Sequence, residues 1–350
     1  MDHVRVLKQA WRLLWRNRAL WVFGIVLALT TASWETSLWR GNNGNRNNTQ
    51  PPSNFQLPPD WPFPKSPNIG EWLTPQVRDT LIAVGIGLAC VVVVLMVVGA
   101  VARYVSETAL IRMVNQNEDT GEPLTVRQGF RLGWSRTAWR LWLSDLLIDL
   151  PAAFAALLLL LVALAPLLLW TTKSTTAGVI GTVAAIGLGF LALLAIIVAA
   201  VALDLVKLFA RRVCALEGLG VIASVRRGYA MLRRNLKDVG VMWLIMAGVH
   251  IGWPIAIVPV VILLIAVGVL LGGGLLLAVR GLTGLALSET AAWIVAGVAG
   301  GVLFILTLAV PLTFLDGLKE TFLSSTWTLT YRELRALRET AGLEAAPTAA

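Results

Sequence analysis

Long apolar runs separated by short polar stretches set the pattern of this chain. Six of them stand out, at about 19–34, 80–102, 141–170, 179–208, 239–279 and 292–315. A helix needs about 20 apolar residues to cross the hydrocarbon of a bilayer. The pattern therefore predicts an all-α fold, a polytopic transmembrane helix bundle of about six spans. A second pattern precedes the first, third and fifth runs. In residues 221–235, Val221, Val225, Gly228, Tyr229 and Leu232 recur at helical spacing, continued by Leu236, while Arg226, Arg227, Arg233, Arg234 and Lys237 take the other face. A basic amphipathic helix of this kind lies at a membrane surface with its cations toward anionic headgroups.

That stretch has two echoes. Ala10-Trp11 with Arg16-Asn17, Gly129-Phe130 with Ser135-Arg136, and Gly228-Tyr229 with Arg234-Asn235 align without gaps, each a small residue, an aromatic and a polar pair. Asp204-Leu-Val-Lys207 and Asp316-Gly-Leu-Lys319 form a further echo where apolar runs end. Duplication is common in membrane folds. The expected organisation is a single membrane domain over 1–340 in three pseudo-repeats, about 1–115, 116–220 and 221–340. Each is an interfacial amphipathic helix followed by a transmembrane hairpin. The matched lead-ins nominate Arg12, Arg16, Arg131, Arg136, Arg226, Arg227, Arg233 and Arg234 as lipid-headgroup ligands.

Several segments interrupt the regular pattern. Residues 40–77 are Asn-rich and then Pro-rich, with Phe55, Trp61 and Phe63 interleaved, and read as an extracytoplasmic loop. The first run ends near a small-residue string that resembles a signal-peptidase site, but the Trp-containing lead-in favours an uncleaved span. Residues 103–125 read as a cytoplasmic connection rich in turn formers over 115–123, after which Thr125 and Gln128 have the spacing of a capping box. Pro151 divides an over-long third run. Residues 171–178 read as a tight polar turn and 280–291 as a short loop. The fifth run holds about twice the residues a bilayer needs and contains His250, Pro254 and Pro259. One kinked helix, a helix with a re-entrant piece, and two spans all fit it. Residues 341–350 read as a disordered tail.

Composition agrees with a membrane setting: 57% of the 350 residues are hydrophobic, and 15 are tryptophan against three tyrosines. Several tryptophans fall near run ends, where indoles favour the membrane interface. The net charge of +9 has a topological reading. The N-terminus, the connections at 103–140 and 207–237, and the tail hold 23 of the 29 Lys and Arg. By the positive-inside rule both termini are cytoplasmic, as six spans require. The expected location is a bacterial inner membrane. No basic domain stands outside the runs, so nucleic acid is not an expected partner. Cys90 and Cys214 suggest neither a disulfide nor a metal site.

Polar residues in apolar surroundings are the candidates for an intramembrane site. Asp145 and Asp149 stand one helical turn apart, as a cation or proton site or as carboxylates at the interface. Asp204 with Lys207, and Asp316 with Lys319, have the spacing of self-neutralising pairs at a helix end. His250, four residues before Pro254, suits either a hydrogen bond to a carbonyl freed by the proline or a titrating switch. Gly268-x-x-x-Gly272 and Gly297-x-x-x-Gly301 are candidates for close helix approach.

Catalytic and cofactor motifs are absent: there is no phosphate-binding loop, dinucleotide fingerprint, His-Glu-x-x-His or Gly-x-Ser-x-Gly. The stretch Arg226-Arg-Gly-Tyr-Ala-Met-Leu-Arg-Arg-Asn235, with Thr326-Trp-Thr-Leu-Thr-Tyr-Arg-Glu-Leu334, resembles a broad group of uncharacterised bacterial polytopic membrane proteins. That group is similar to the membrane domain attached to some glycerophosphodiester phosphodiesterases. The resemblance implies a membrane module without the catalytic barrel of those enzymes. The expected function is non-catalytic: binding anionic lipid through the basic helices, and scaffolding or regulating a membrane-protein partner or a second copy, without cofactor. The alternative is a transporter for a lipid or small solute, built around Asp145, Asp149 and His250.

Overall fold

A computed structural model describes residues 1–40, 75–172, 174–284 and 288–344. Among these, nine α-helices and one 3-10 helix form, and no strand does. They are α1 (His3–Arg16), α2 (Ala19–Arg40), α3 (Pro75–Thr120), α4 (Val126–Gly133), α5 (Arg136–Leu164), the 3-10 helix Ala165–Thr172, α6 (Thr175–Glu217), α7 (Val221–Arg234), α8 (Leu236–Thr283) and α9 (Glu289–Glu344). Of the loop expected over 40–77, residues 41–74 lie outside the described residues. So do 345–350 of the expected tail, whose first residues belong to α9.

Five helices are long and apolar enough to cross a membrane; the bent pair α1 and α2, meeting at 101°, makes a sixth. The fifth run resolves into the single helix α8, with Pro254 and Pro259 inside it. Pro151 likewise lies within α5. Each proline removes one backbone bond, and the surrounding turns carry the helix past it. The expected polar turn at 171–178 is shorter than its composition suggests. Ser174 caps α6 by accepting from the Ala177 amide at 3.4 Å.

The largest departure from the sequence reading is at the ends of α3, α6 and α9. The apolar runs end near 102, 208 and 315, but the helices continue to 120, 217 and 344. The supposed turn over 115–123 is helical as far as Thr120. Asn115, Asn117 and Asp119 do not break the helix because their side chains are engaged in it. Asn115 donates to Asp119 one turn on at 3.0 Å, and Asn117 donates to the Glu122 carbonyl just past the helix end at 2.8 Å. α3 ends at Gly121 (φ +71°) and α6 at Gly218 (φ +66°). Glycine occupies this left-handed position without steric penalty.

By contacts the chain divides into two compact units, with boundaries inside helices and not at the pseudo-repeat borders. The first holds residues 1–23, 104–246 and 321–350. Its core is the far end of α9, where residues 323–331 are all buried. Leu110, Ile111, Met113 and Val114 of α3 and Phe209, Ala210 and Val213 of α6 are buried in the same unit, with Phe209 edge-on to Trp327 at 6.3 Å. Thr326, Thr328 and Thr330 sit inside this core and satisfy their hydroxyls on carbonyls one turn back, at 2.8, 2.8 and 2.9 Å. The capping box of α4 is present in both halves: the Thr125 amide donates to Gln128 at 2.8 Å, and the Gln128 amide to the Thr125 hydroxyl at 3.4 Å.

The second unit holds residues 24–103 and 247–320. Here Gly272 and Gly300 face each other, and a Cβ on Gly272 would stand 2.8 Å from the Gly300 carbonyl. Gly268 meets Phe304 and Leu308. The expected pair Gly297 and Gly301 does not make this approach, since a Cβ on either would meet nothing within 4 Å. Buried Ala296 and Gly300, one position earlier, take that face instead. Gly317 sits against the backbone of Ile25, where a Cβ would stand 2.8 Å from both N and Cα. The most apolar window of α3 buries none of its residues within the chain. In water such a surface would be costly, at about 25 cal/mol per Å²; lipid removes that cost.

Candidate functional site

The three lead-in helices α1, α4 and α7 share one arrangement. Ala10, Gly129 and Gly228 are buried. The aromatic beside each, Trp11, Phe130 and Tyr229, is 53% exposed in every case. The small residues are there because the helices approach closely. A Cβ on Gly228 would stand 2.8 Å from the Ala210 amide nitrogen and 3.1 Å from its Cα, and Gly129 is closed in by Met113 and Phe23. Each helix then breaks at its polar pair. Asn17 and Asn235 sit at the C-caps of α1 and α7, and Ser135 at the N-cap of α5.

The α7 face differs from the stripe drawn from sequence. Ser224, Gly228, Met231 and Leu232 are buried, whereas Tyr229 and Leu236 are exposed with the arginines. A 3.6-residue period defines an apolar stripe only to within about one position on either side. The close approach at Gly228 fixes which edge turns inward. The apolar face therefore packs inside the protein, and an outward band of aromatic and basic side chains remains. Arg12, Arg16, Arg131, Arg136, Arg226, Arg233 and Arg234 are all exposed. Arg227 is half-exposed and tied to Glu217 at 3.0 Å. Arg16 also donates to the Gly121 carbonyl at 2.8 Å. The aromatics of this band touch one another: Trp11 with Trp15 and Trp15 with Trp21 at 5.8 and 5.6 Å, Phe130 stacked on Trp134 at 5.6 Å, and Trp139 on Trp142 at 4.5 Å.

Beneath the band, within the same unit, lies an ion-pair ladder. Arg211 of α6 grips Asp145 of α5 with two nitrogens, Nε at 2.9 Å and Nη2 at 2.7 Å, and reaches Glu107 of α3 with Nη1 at 2.8 Å. Tyr104 donates to Asp145 at 3.0 Å. One turn away Lys207 lies 2.8 Å from both Asp149 and Asp204. Arg212 is 4% exposed and donates to the Leu208 carbonyl at 2.7 Å and the Ser324 carbonyl at 3.3 Å; its Nε has no partner among the described residues. Arg112 of α3 is a clamp on helix ends. It donates to the carbonyls of Ala215 and Leu132 at 3.1 and 3.0 Å, and to the hydroxyls of Ser135 and Thr137 at 3.2 and 2.7 Å.

Asp145, Asp149, Asp204 and Lys207 are thus brought together, each with an opposite charge. The expected i,i+3 pair of Asp204 with Lys207 forms. The expected pair of Asp316 with Lys319 gives way to other partners: Asp316 accepts from the Trp253 indole at 3.3 Å, and Lys319 lies 3.4 Å from Glu320. An adjacent carboxylate and an indole already in place compete successfully with a salt bridge of small net value. His250 occupies an exposed position on α8, in the other unit from Asp145 and Asp149. Glu107, Arg211, Arg112 and Tyr104 went unnoticed in the sequence. One signal was available: Lys207 and Arg211 repeat, with opposite sign, the four-residue spacing of Asp145 and Asp149.

The length and apolarity of its helices make this a multi-pass α-helical membrane protein. Within that class the chain belongs to the family of unknown function DUF7544, whose model matches residues 7–330. No curated protein and no solved structure matches it.

Proposed function

We propose that this chain is a non-catalytic integral module of the bacterial inner membrane that gathers anionic lipid headgroups and scaffolds or regulates a membrane partner. Both termini are cytoplasmic on this reading, and the three lead-in helices, as pseudo-repeats, form a collar at the cytoplasmic interface. The observation that carries it is the matched exposure of Trp11, Phe130 and Tyr229 among exposed arginines, each beside a buried small residue. Indoles and phenyl rings favour the headgroup level, and arginines there attract anionic lipid at about 1 kcal/mol each. The 101° bend between α1 and α2 suits an interfacial helix followed by a crossing. The resemblance to the membrane domain of glycerophosphodiester phosphodiesterases is part of the same proposal. The transport reading has less support, because Asp145 and Asp149 are held by Arg211 and Lys207.

The test replaces Arg226, Arg233 and Arg234 by Gln and leaves Arg227 on Glu217. Native mass spectrometry of the protein from its own membranes then compares retained phosphatidylglycerol and cardiolipin with phosphatidylethanolamine, together with any co-purifying protein. The expected result is a lost anionic excess. Unchanged lipid and partner profiles in a folded variant refute the proposal.

A further inference from the structure

A second feature of the first unit lies at the far ends of its long helices. Where α3 and α6 end, and against the far end of α9, there is a cavity of about 310 Å³. Pockets for small molecules span about 300–1,000 Å³, so this one is at the small end. Its polar wall is Asn115, Asp119, Tyr331, Arg332, Arg335 and Glu339. The formal charges on that wall balance, two arginines against two carboxylates.

The two arginines are not equivalent. Arg332 is built in: it donates to the Asn115 carbonyl at 3.0 Å, the Asn115 side-chain oxygen at 2.6 Å and Asp119 at 2.7 Å. Tyr331 is fixed too, donating to Glu217 at 2.6 Å. Arg335 makes one bond, from Nε to Glu339 one turn on at 2.9 Å, and both residues are about half-exposed. An exposed pair of this kind contributes little net stability and opens readily. Among the described residues the two terminal nitrogens of Arg335 take no hydrogen bond. A guanidinium edge with free donors fits a carboxylate bidentately. Once Arg335 has taken an incoming carboxylate, Glu339 is left as an acceptor for a cation.

Depth along the helices separates a lipid from a soluble ligand. The apolar runs of α3 and α6 end near Ala102 and Leu208, thirteen and eight residues before Asn115 and Leu216 on the cavity wall. At 1.5 Å per residue that is about 20 Å along α3 and about 12 Å along α6. The headgroup layer is about 5–8 Å thick on each side of the hydrocarbon. A headgroup does not reach the cavity, whereas a water-soluble molecule does.

We propose that this cavity binds a small water-soluble zwitterion of the α-amino-acid class, with its carboxylate on Arg335 and Arg332 and its ammonium on Glu339 and Asp119. A simple anion meets two carboxylates there and a simple cation two guanidiniums; a zwitterion satisfies both. The proposal does not rest on the lipid collar, since Arg335 and Glu339 are not among the collar's side chains, and its failure leaves that reading untouched.

The experiment uses the full chain in mild detergent. Its melting temperature is followed with each of the standard α-amino acids at millimolar concentration, and with the N-acetyl derivative and primary amide of any that acts. At least one amino acid raises the melting temperature saturably, as binding to the folded state requires. Its N-acetyl derivative and amide do not. Arg335→Met and Glu339→Gln each weaken binding about tenfold or more, a loss of about 1.4 kcal/mol, while the ligand-free melting temperature stays put. If no amino acid acts, if the N-acetyl derivative serves equally well, or if both variants bind normally, the proposal is wrong.

Discussion

Arg211 offers the sharpest test of how the first unit is held together. Its side chain is 18% exposed, and those of its partners Glu107 and Asp145 are 10% and 6%. Arg211→Met keeps the length of the stem and removes the charge. Two buried carboxylates then lose their cation, and Asp145 retains only the Tyr104 hydroxyl. Breaking a buried pair by removing one partner costs about 3–5 kcal/mol, because the remaining charge is uncompensated. Because one guanidinium serves both carboxylates, this variant falls at the upper end of that range. The same physics predicts a rescue. Replacing all three groups, as Arg211→Met with Glu107→Gln and Asp145→Asn, removes the desolvated charges together and recovers at least about 2 kcal/mol of the loss. Arg211→Lys falls between, since an ammonium cannot reproduce the two-nitrogen grip on Asp145. Equilibrium unfolding in mixed detergent micelles, read through the 15 tryptophans, gives all the values on one scale. A single variant within about 1 kcal/mol of the parent, or a triple variant no better than the single, refutes the claim that the pairs, and not the packing around them, set the cost.

Three further outcomes follow from helix contacts and helix ends. Gly228→Ala places a methyl 2.8 Å from the Ala210 backbone and costs about 1–3 kcal/mol by overpacking. Gly297→Ala meets nothing within 4 Å, and the same unfolding assay finds it neutral or stabilised by up to about 1 kcal/mol through helix propensity. Arg112→Met removes the donor from the ends of two helices and costs at least about 2 kcal/mol, because hydrogen bonds to charged groups are worth about 1.5–3 kcal/mol each; hydrogen exchange should show the last turns of α4 and α6 opening first.

The helices themselves were legible because hydropathy reports membrane solvation, and a run such as 179–208 has no other reading. The lead-ins were legible through Ala10, Gly129 and Gly228, whose spacing from a following aromatic and a polar pair does not depend on hydropathy. What hydropathy hid was the length of α3, α6 and α9. Past residues 102, 208 and 315 these helices bury one side against each other, and their composition becomes that of an ordinary soluble core, with Thr326, Thr328 and Thr330 as its middle. A threonine-rich stretch rates low as a membrane helix and low by helix propensity; only the back-bonds to carbonyls one turn earlier and burial on every side make it the spine of the unit. The partners of Asp145 and Asp149 were hidden for a related reason. Arg211 stands 66 residues from Asp145 in sequence, and only the four-residue spacing it shares with Lys207 points to it.

The ladder also answers a question that packing in lipid leaves open. Between helices surrounded by hydrocarbon, apolar side chains gain little by touching each other and not lipid, so they specify register weakly. α5 carries Asp145 and Asp149 four residues apart, and α6 carries Lys207 and Arg211 four residues apart, so both cross-helix pairs form in one register. A slip of one residue moves each cation by about 1.5 Å along the axis and about 100° around it, which breaks both pairs together. Glu107 extends the constraint to α3 through the same guanidinium. The charges are therefore best understood as alignment marks at the level where the apolar runs end. They fix the far ends of α3 and α6, and with them the wall of the polar cavity, relative to α5.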